Sequence, residues 1–79
     1  MSVLLSELKI GDKAIIVDIN LDEIPLKLLE MGCLPGNTIE LIQIAPFGDP
    51  YYFNINDSHV AIRKETANEV NVVIENQLV

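Results

Sequence analysis

Cysteine and histidine are nearly missing from this sequence: Cys33 and His59 are the only examples of each. One cysteine excludes any intramolecular disulfide framework, and a lone thiol suits a reducing compartment. One cysteine and one histidine cannot assemble a four-ligand zinc site of the usual kind. Tryptophan is absent and aromatic residues make up 5% of the chain. Basic residues are few and scattered (Lys9, Lys13, Lys27, Arg63, Lys64), with only Arg63 and Lys64 adjacent, and the net charge is −7. Nucleic-acid binding needs a concentrated basic face to release phosphate counterions, so this balance argues against it. The acidic residues are equally dispersed, as on a solvated surface. No apolar run reaches the roughly 18 residues of a membrane span, so direct membrane insertion is not expected. Met1 to Gly11 lacks the basic and apolar regions of a secretory signal, and the expected location is cytoplasmic.

Motifs for catalysis are missing too. No glycine-rich phosphate loop of either common type occurs, and each of the four glycines falls at a turn. Cys33 and His59 are formally a nucleophile and a base. Cys33, however, sits in a Gly-Cys-Leu-Pro context that reads as packing, and nothing around it lowers a thiol pKa. Asp22 and Glu23 could join an oxygen-ligand metal site, but Asp22 is better explained as a helix cap. No pair of carboxylates is singled out for acid–base work. The expectation is a binding module with no catalytic residue, no cofactor and no metal ligand.

What is present is hydrophobic patterning over 79 residues, enough for one domain. A domain this small buries only roughly 60% of the surface its unfolded chain exposes, so its apolar residues must do most of the stabilising. Ser2 to Gly11 reads as a short lead-in turn. Ala14 to Ile19 is a β-branched strand with Ile15, Val17 and Ile19 on one face. Leu21, Ile24, Leu28 and Met31 follow helical spacing and predict a short helix over Asp22 to Met31, ended by Gly32 and blocked by Pro35-Gly36. Thr38 to Ala45 is a second strand whose alternation slips between Leu41 and Ile42, the mark of a bulge. Tyr51 to Asn56 alternates with Tyr51, Phe53 and Ile55 inward. A tight Asp57-Ser58 turn leads to His59–Arg63, with Val60 and Ile62 inward. Glu65 to Glu69 reads as a turn or a single helical turn, and Val70 to Ile74 as the last strand. The fold class is mainly β: a small, partly open barrel of about five strands, with a helix inserted after the first. One domain over 1–75 and a frayed tail over 76–79 are expected.

The run Leu28-Leu29-Glu30-Met31-Gly32-Cys33-Leu34-Pro35-Gly36, the strand Ile39–Ile44, and Ala45-Pro46-Phe47-Gly48-Asp49-Pro50 closely resemble the ferrous iron transport protein A (FeoA) family. Val60-Ala61-Ile62-Arg63 and the opening Leu5-Ser6-Glu7-Leu8-Lys9-Ile10-Gly11 are similar to two further segments of that family. The resemblance spans essentially the whole chain. Phe47 stands where leucine is common, and Pro25-Leu26 replaces polar residues of the family's helix. The resemblance implies an SH3-like barrel and a small cytosolic accessory component of bacterial ferrous iron uptake. Such a protein acts on the membrane Fe(II) transporter and its cytoplasmic GTPase region, and is neither enzyme nor pore. An alternative is a metal-responsive regulatory domain that binds Fe(II) or Mn(II) directly, because a related fold is appended to iron-dependent repressors.

The residues for partner contact lie in the two stiff loops: Leu34 and Pro35 in one, and Phe47, Gly48, Asp49 and Pro50 in the other. Proline fixes φ there and glycine permits otherwise forbidden turns. Phe47 is either an exposed anchor for a partner or a cap folded over the barrel end. Leu28, Leu29 and Met31 are expected in the core.

Overall fold

The strongest alternation in the chain produces its best-defined element, a hairpin of β4 (Tyr51–Ile55) and β5 (Ser58–Ile62). Asn56 (φ 51°) and Asp57 (φ 64°) form the two-residue turn, in the left-handed conformation that matches the twist of a hairpin. The turn thus falls one residue earlier than expected. Tyr51, Phe53 and Ile55 on β4 and Val60 and Ile62 on β5 are all buried. The computed structural model describes residues 1–75, so the tail expected over 76–79 lies outside the described residues.

β3 (Thr38–Ile44) pairs with β4 and carries the expected irregularity: the register shifts between Leu41 and Gln43. Leu41 stays in the core and Ile42 turns outward. β2 (Lys13–Ile19) pairs with β3 on one side and with β6 (Val70–Ile74) on the other. Its inward residues are Ala14 and Ile16, and Val17 is exposed, so the face that Ile15 and Val17 share is the outer one. The run is apolar on both parities, and a second register shift between Ile16 and Asp18 returns Ile19 to partial burial.

A sixth strand was not expected. β1 (Val3–Leu4) pairs antiparallel with β6, matching Val3 to Val72. A one-turn 3-10 segment (Leu5–Glu7) follows, where the Glu7 carboxylate accepts the Leu4 N–H at 2.7 Å. The Ser6 hydroxyl, within this segment, donates to Asn68 Oδ1. The sheet order is β1-β6-β2-β3-β4-β5, all antiparallel and not closed. Its curled inner face holds Phe53, Ile16, Ile39 and Val72, all fully buried. Each such side chain stabilises the fold by about 2–3 kcal/mol relative to exposure.

Two short helices complete the chain. α1 covers Leu26–Glu30 only, with Pro25 at its N-cap in an extended conformation. Proline disfavours helical geometry at the residue before it, so Ile24 cannot belong to the helix. Asp22 therefore lies in the preceding turn and caps nothing. Leu28 is buried, with Leu29 and Met31 packed against the core as expected. Gly32 ends α1 at φ 106°, and the Cys33 N–H donates to the Leu28 carbonyl at 3.0 Å. A Cβ on Gly32 would lie 2.7 Å from Asn56 Nδ2, the end of a side chain that can move, and 3.1 Å from Ile55 Cγ2, so conformation more than space requires glycine. α2 (Lys64–Ala67) joins β5 to β6.

Candidate functional site

The two proline–glycine loops are not one surface. They leave from opposite ends of β3, whose seven residues separate them by about 20 Å. The loop through Leu34, Pro35 and Gly36 is stitched to the sheet. The Gly36 N–H donates to the Ile16 carbonyl at 2.7 Å, and the Ile16 N–H donates to the Asn37 carbonyl at 2.9 Å. Asn37 Nδ2 also donates to the Gly32 carbonyl at 2.7 Å. Leu34 is 40% exposed and lies next to this anchorage.

The second loop is held at its base and free at its tip. The Ala45 N–H donates to the Pro50 carbonyl at 3.0 Å, and the Gly48 N–H donates to the Ala45 carbonyl at 2.8 Å. Gly48 adopts φ 89°, and the Asp49–Pro50 bond is cis. Phe47 is 100% exposed, so it does not fold back over the barrel end. A wholly exposed phenylalanine on a constrained loop presents a large apolar surface at small conformational cost.

Asp49 has a structural role that its sequence context did not reveal. Its Oδ1 accepts the Lys64 N–H at 2.9 Å, satisfying one of the free donors at the start of α2. This bond draws the loop against the end of β5. Asp49, Pro50, Ala61 and Arg63 together line an open cleft of about 430 Å³. Ala61 and Arg63 were not among the expected contact residues. The available signal was the alternation of β5, which turns His59, Ala61 and Arg63 outward wherever Val60 and Ile62 turn inward.

The formal Cys33–His59 pair does not come together. Cys33 is sealed in the core, where burial pushes its thiol pKa up, and His59 is exposed on the outer face. Among the described residues no group of three or more His, Cys, Asp or Glu side chains is placed to hold a metal ion. No helix among them is long and apolar enough to cross a membrane.

The arrangement has close counterparts. The FeoA domain family model matches residues 3–74. The chain belongs to the FeoA domain family. A relative from Porphyromonas gingivalis, an Fe(2+) transport protein A/Fe(2+) transporter FeoB fusion protein, is 44% identical over 69 residues, 86% of this chain. The chain spans about 8% of that fusion protein's length. The crystal structure of an iron uptake regulatory protein, FeoA, is 36% identical, with a TM-score of 0.80 over 94% of this chain and 97% of the other. The zinc-complexed FeoA of Stenotrophomonas maltophilia, a prokaryotic SH3 domain protein, is 24% identical. It superposes with a TM-score of 0.73 over 92% of this chain and 89% of its own, which establishes likeness of fold. The FeoA family is one of ferrous iron transport, and the SH3-like architecture expected from the sequence is the one observed.

Proposed function

We propose that this domain is a non-catalytic accessory component of ferrous iron uptake that binds and modulates an Fe(II) transporter in the cytoplasm. The contact is made through the loop Phe47–Pro50 with the transporter's GTPase region. The observation that carries this reading is Phe47, wholly exposed at the tip of a loop that is tied at its base. The identity of the partner is supported by the Porphyromonas gingivalis relative, in which a similar domain and a transporter share one polypeptide. A partner tethered covalently in one protein is a natural partner in trans for the same domain in another, because the tether only raises effective concentration.

The test is capture of the purified GTPase region of the transporter by this chain. Phe47→Ala should weaken capture by about tenfold or more, as expected for an aromatic anchor in an interface. The amide spectrum of the variant should remain folded. Asp49→Lys should also weaken capture, but it removes the acceptor for the Lys64 N–H, so its fold must be checked separately. Unchanged capture by Phe47→Ala would remove the loop from the interface.

A further inference from the structure

A free sheet edge exposes backbone groups that invite another chain. The open sheet has two such edges. β1 is only two residues long, whereas β5 runs for five residues and pairs with β4 alone among the described residues. The hairpin register identifies which of its groups are spare. Across a two-residue turn Ile55 and Ser58 exchange both backbone hydrogen bonds, as do Phe53 with Val60 and Tyr51 with Ile62. His59 and Ala61 occupy the alternate positions, so their N–H and C=O groups point away from β4 along the free edge. Both residues are exposed.

The chemistry of this edge differs from that of the rest of the chain. Ser58 to Lys64 contains His59, Arg63 and Lys64 and no carboxylate, although the whole chain has twelve carboxylates against five cations. The cleft lined by Ala61, Arg63, Asp49 and Pro50 opens beside it.

We propose that β5 accepts an extended, acidic segment of a partner protein as a seventh strand of the sheet. Backbone hydrogen bonds to His59 and Ala61 provide attachment, the mode by which exposed edges take up peptides. Arg63 and Lys64 favour carboxylate side chains at the end of the edge, where the cleft's own carboxylate, Asp49, is already engaged by the Lys64 N–H. The inference goes beyond the reading of Phe47, because the edge and cleft require no particular partner. Either can fail while the other stands.

The deciding experiment titrates the isotope-labelled full chain with two short blocked peptides of one alternating Thr/Val frame, carrying glutamate in one and lysine in the other. The glutamate peptide should shift the His59 and Ala61 amide protons downfield and slow their exchange. It should also bind about tenfold more tightly than the lysine peptide. Ala61→Pro removes one outward donor at an edge position that proline tolerates, and should abolish the shift at His59. Arg63→Glu should reverse the preference between peptides with the fold intact. Three outcomes would each overturn the proposal: no shift at His59 and Ala61, equal affinity for the two peptides, or concentration-dependent shifts at these amides without peptide, which is pairing with a second copy.

Discussion

The loops at the two ends of β3 carry nearly the same vocabulary, proline and glycine beside one large apolar residue, yet the fold uses them differently. The loop at Leu34–Gly36 is consumed by structure: its backbone bonds to β2, and Asn37 and Gly32 lock it to α1. The loop at Phe47–Pro50 is bonded at its base and to the start of α2, leaving Phe47 without cover. Composition says that both loops are stiff. Only the number and direction of backbone bonds says which one has surface to spare.

The largest effect that would sharpen this contrast is expected at Gly32, on the anchored side. Gly32→Ala forces an L-residue to φ 106°, displaces the Asn56 side chain and crowds Ile55 Cγ2 at 3.1 Å. It should cost about 3 kcal/mol in urea unfolding. Gly48→Ala, at φ 89° with open space around the added carbon, should cost about 1 kcal/mol by the same assay. Equal losses would mean that the two loops are equally constrained. Asp49→Ala should also cost about 1 kcal/mol, because the Lys64 N–H loses its acceptor.

Cys33 offers a smaller effect, confined to alkaline solution. Burial raises its pKa in the folded state, whereas the unfolded chain ionises in the ordinary thiol range, about 8.5. Above that range the unfolded state binds fewer protons than the folded one, so stability falls as pH rises; below it the thiol contributes no pH dependence. Urea midpoints at neutral and alkaline pH should show this drop in the parent chain and less of it in Cys33→Ala. The smallest effect belongs to Phe47→Ala, which should leave the thermal midpoint unchanged, since the ring is wholly exposed.

Much of the fold was legible in the sequence. Clean alternation gave the buried faces of β4 and β5, and the slip at Leu41–Ile42 marked the bulge of β3. Legibility failed where local pattern was ambiguous or the cause lay far along the chain. In β2 both parities are apolar, so only pairing with β3 and β6 decides that Ala14 and Ile16 face inward. β1 exists because Val3 meets Val72, a contact with no local signature. The helical spacing from Leu21 was real as spacing, but Pro25 excludes Ile24 from α1 and shortens the element. Near the candidate site, the positions of the two loops could be read in advance from their proline and glycine residues. Their separation by the length of β3, and the cleft that Asp49 forms with β5, depend on three-dimensional closure.

The most direct measurement is calorimetric titration of the transporter's GTPase region into the parent chain, Phe47→Ala and Leu34→Ala. Affinity should fall by about tenfold or more for Phe47→Ala and stay level for Leu34→Ala, because Phe47 is wholly exposed at a loop tip whereas Leu34 is less than half exposed beside its anchorage. Loss of binding on Leu34→Ala with Phe47→Ala unaffected would contradict the assignment and move the contact to the opposite end of β3.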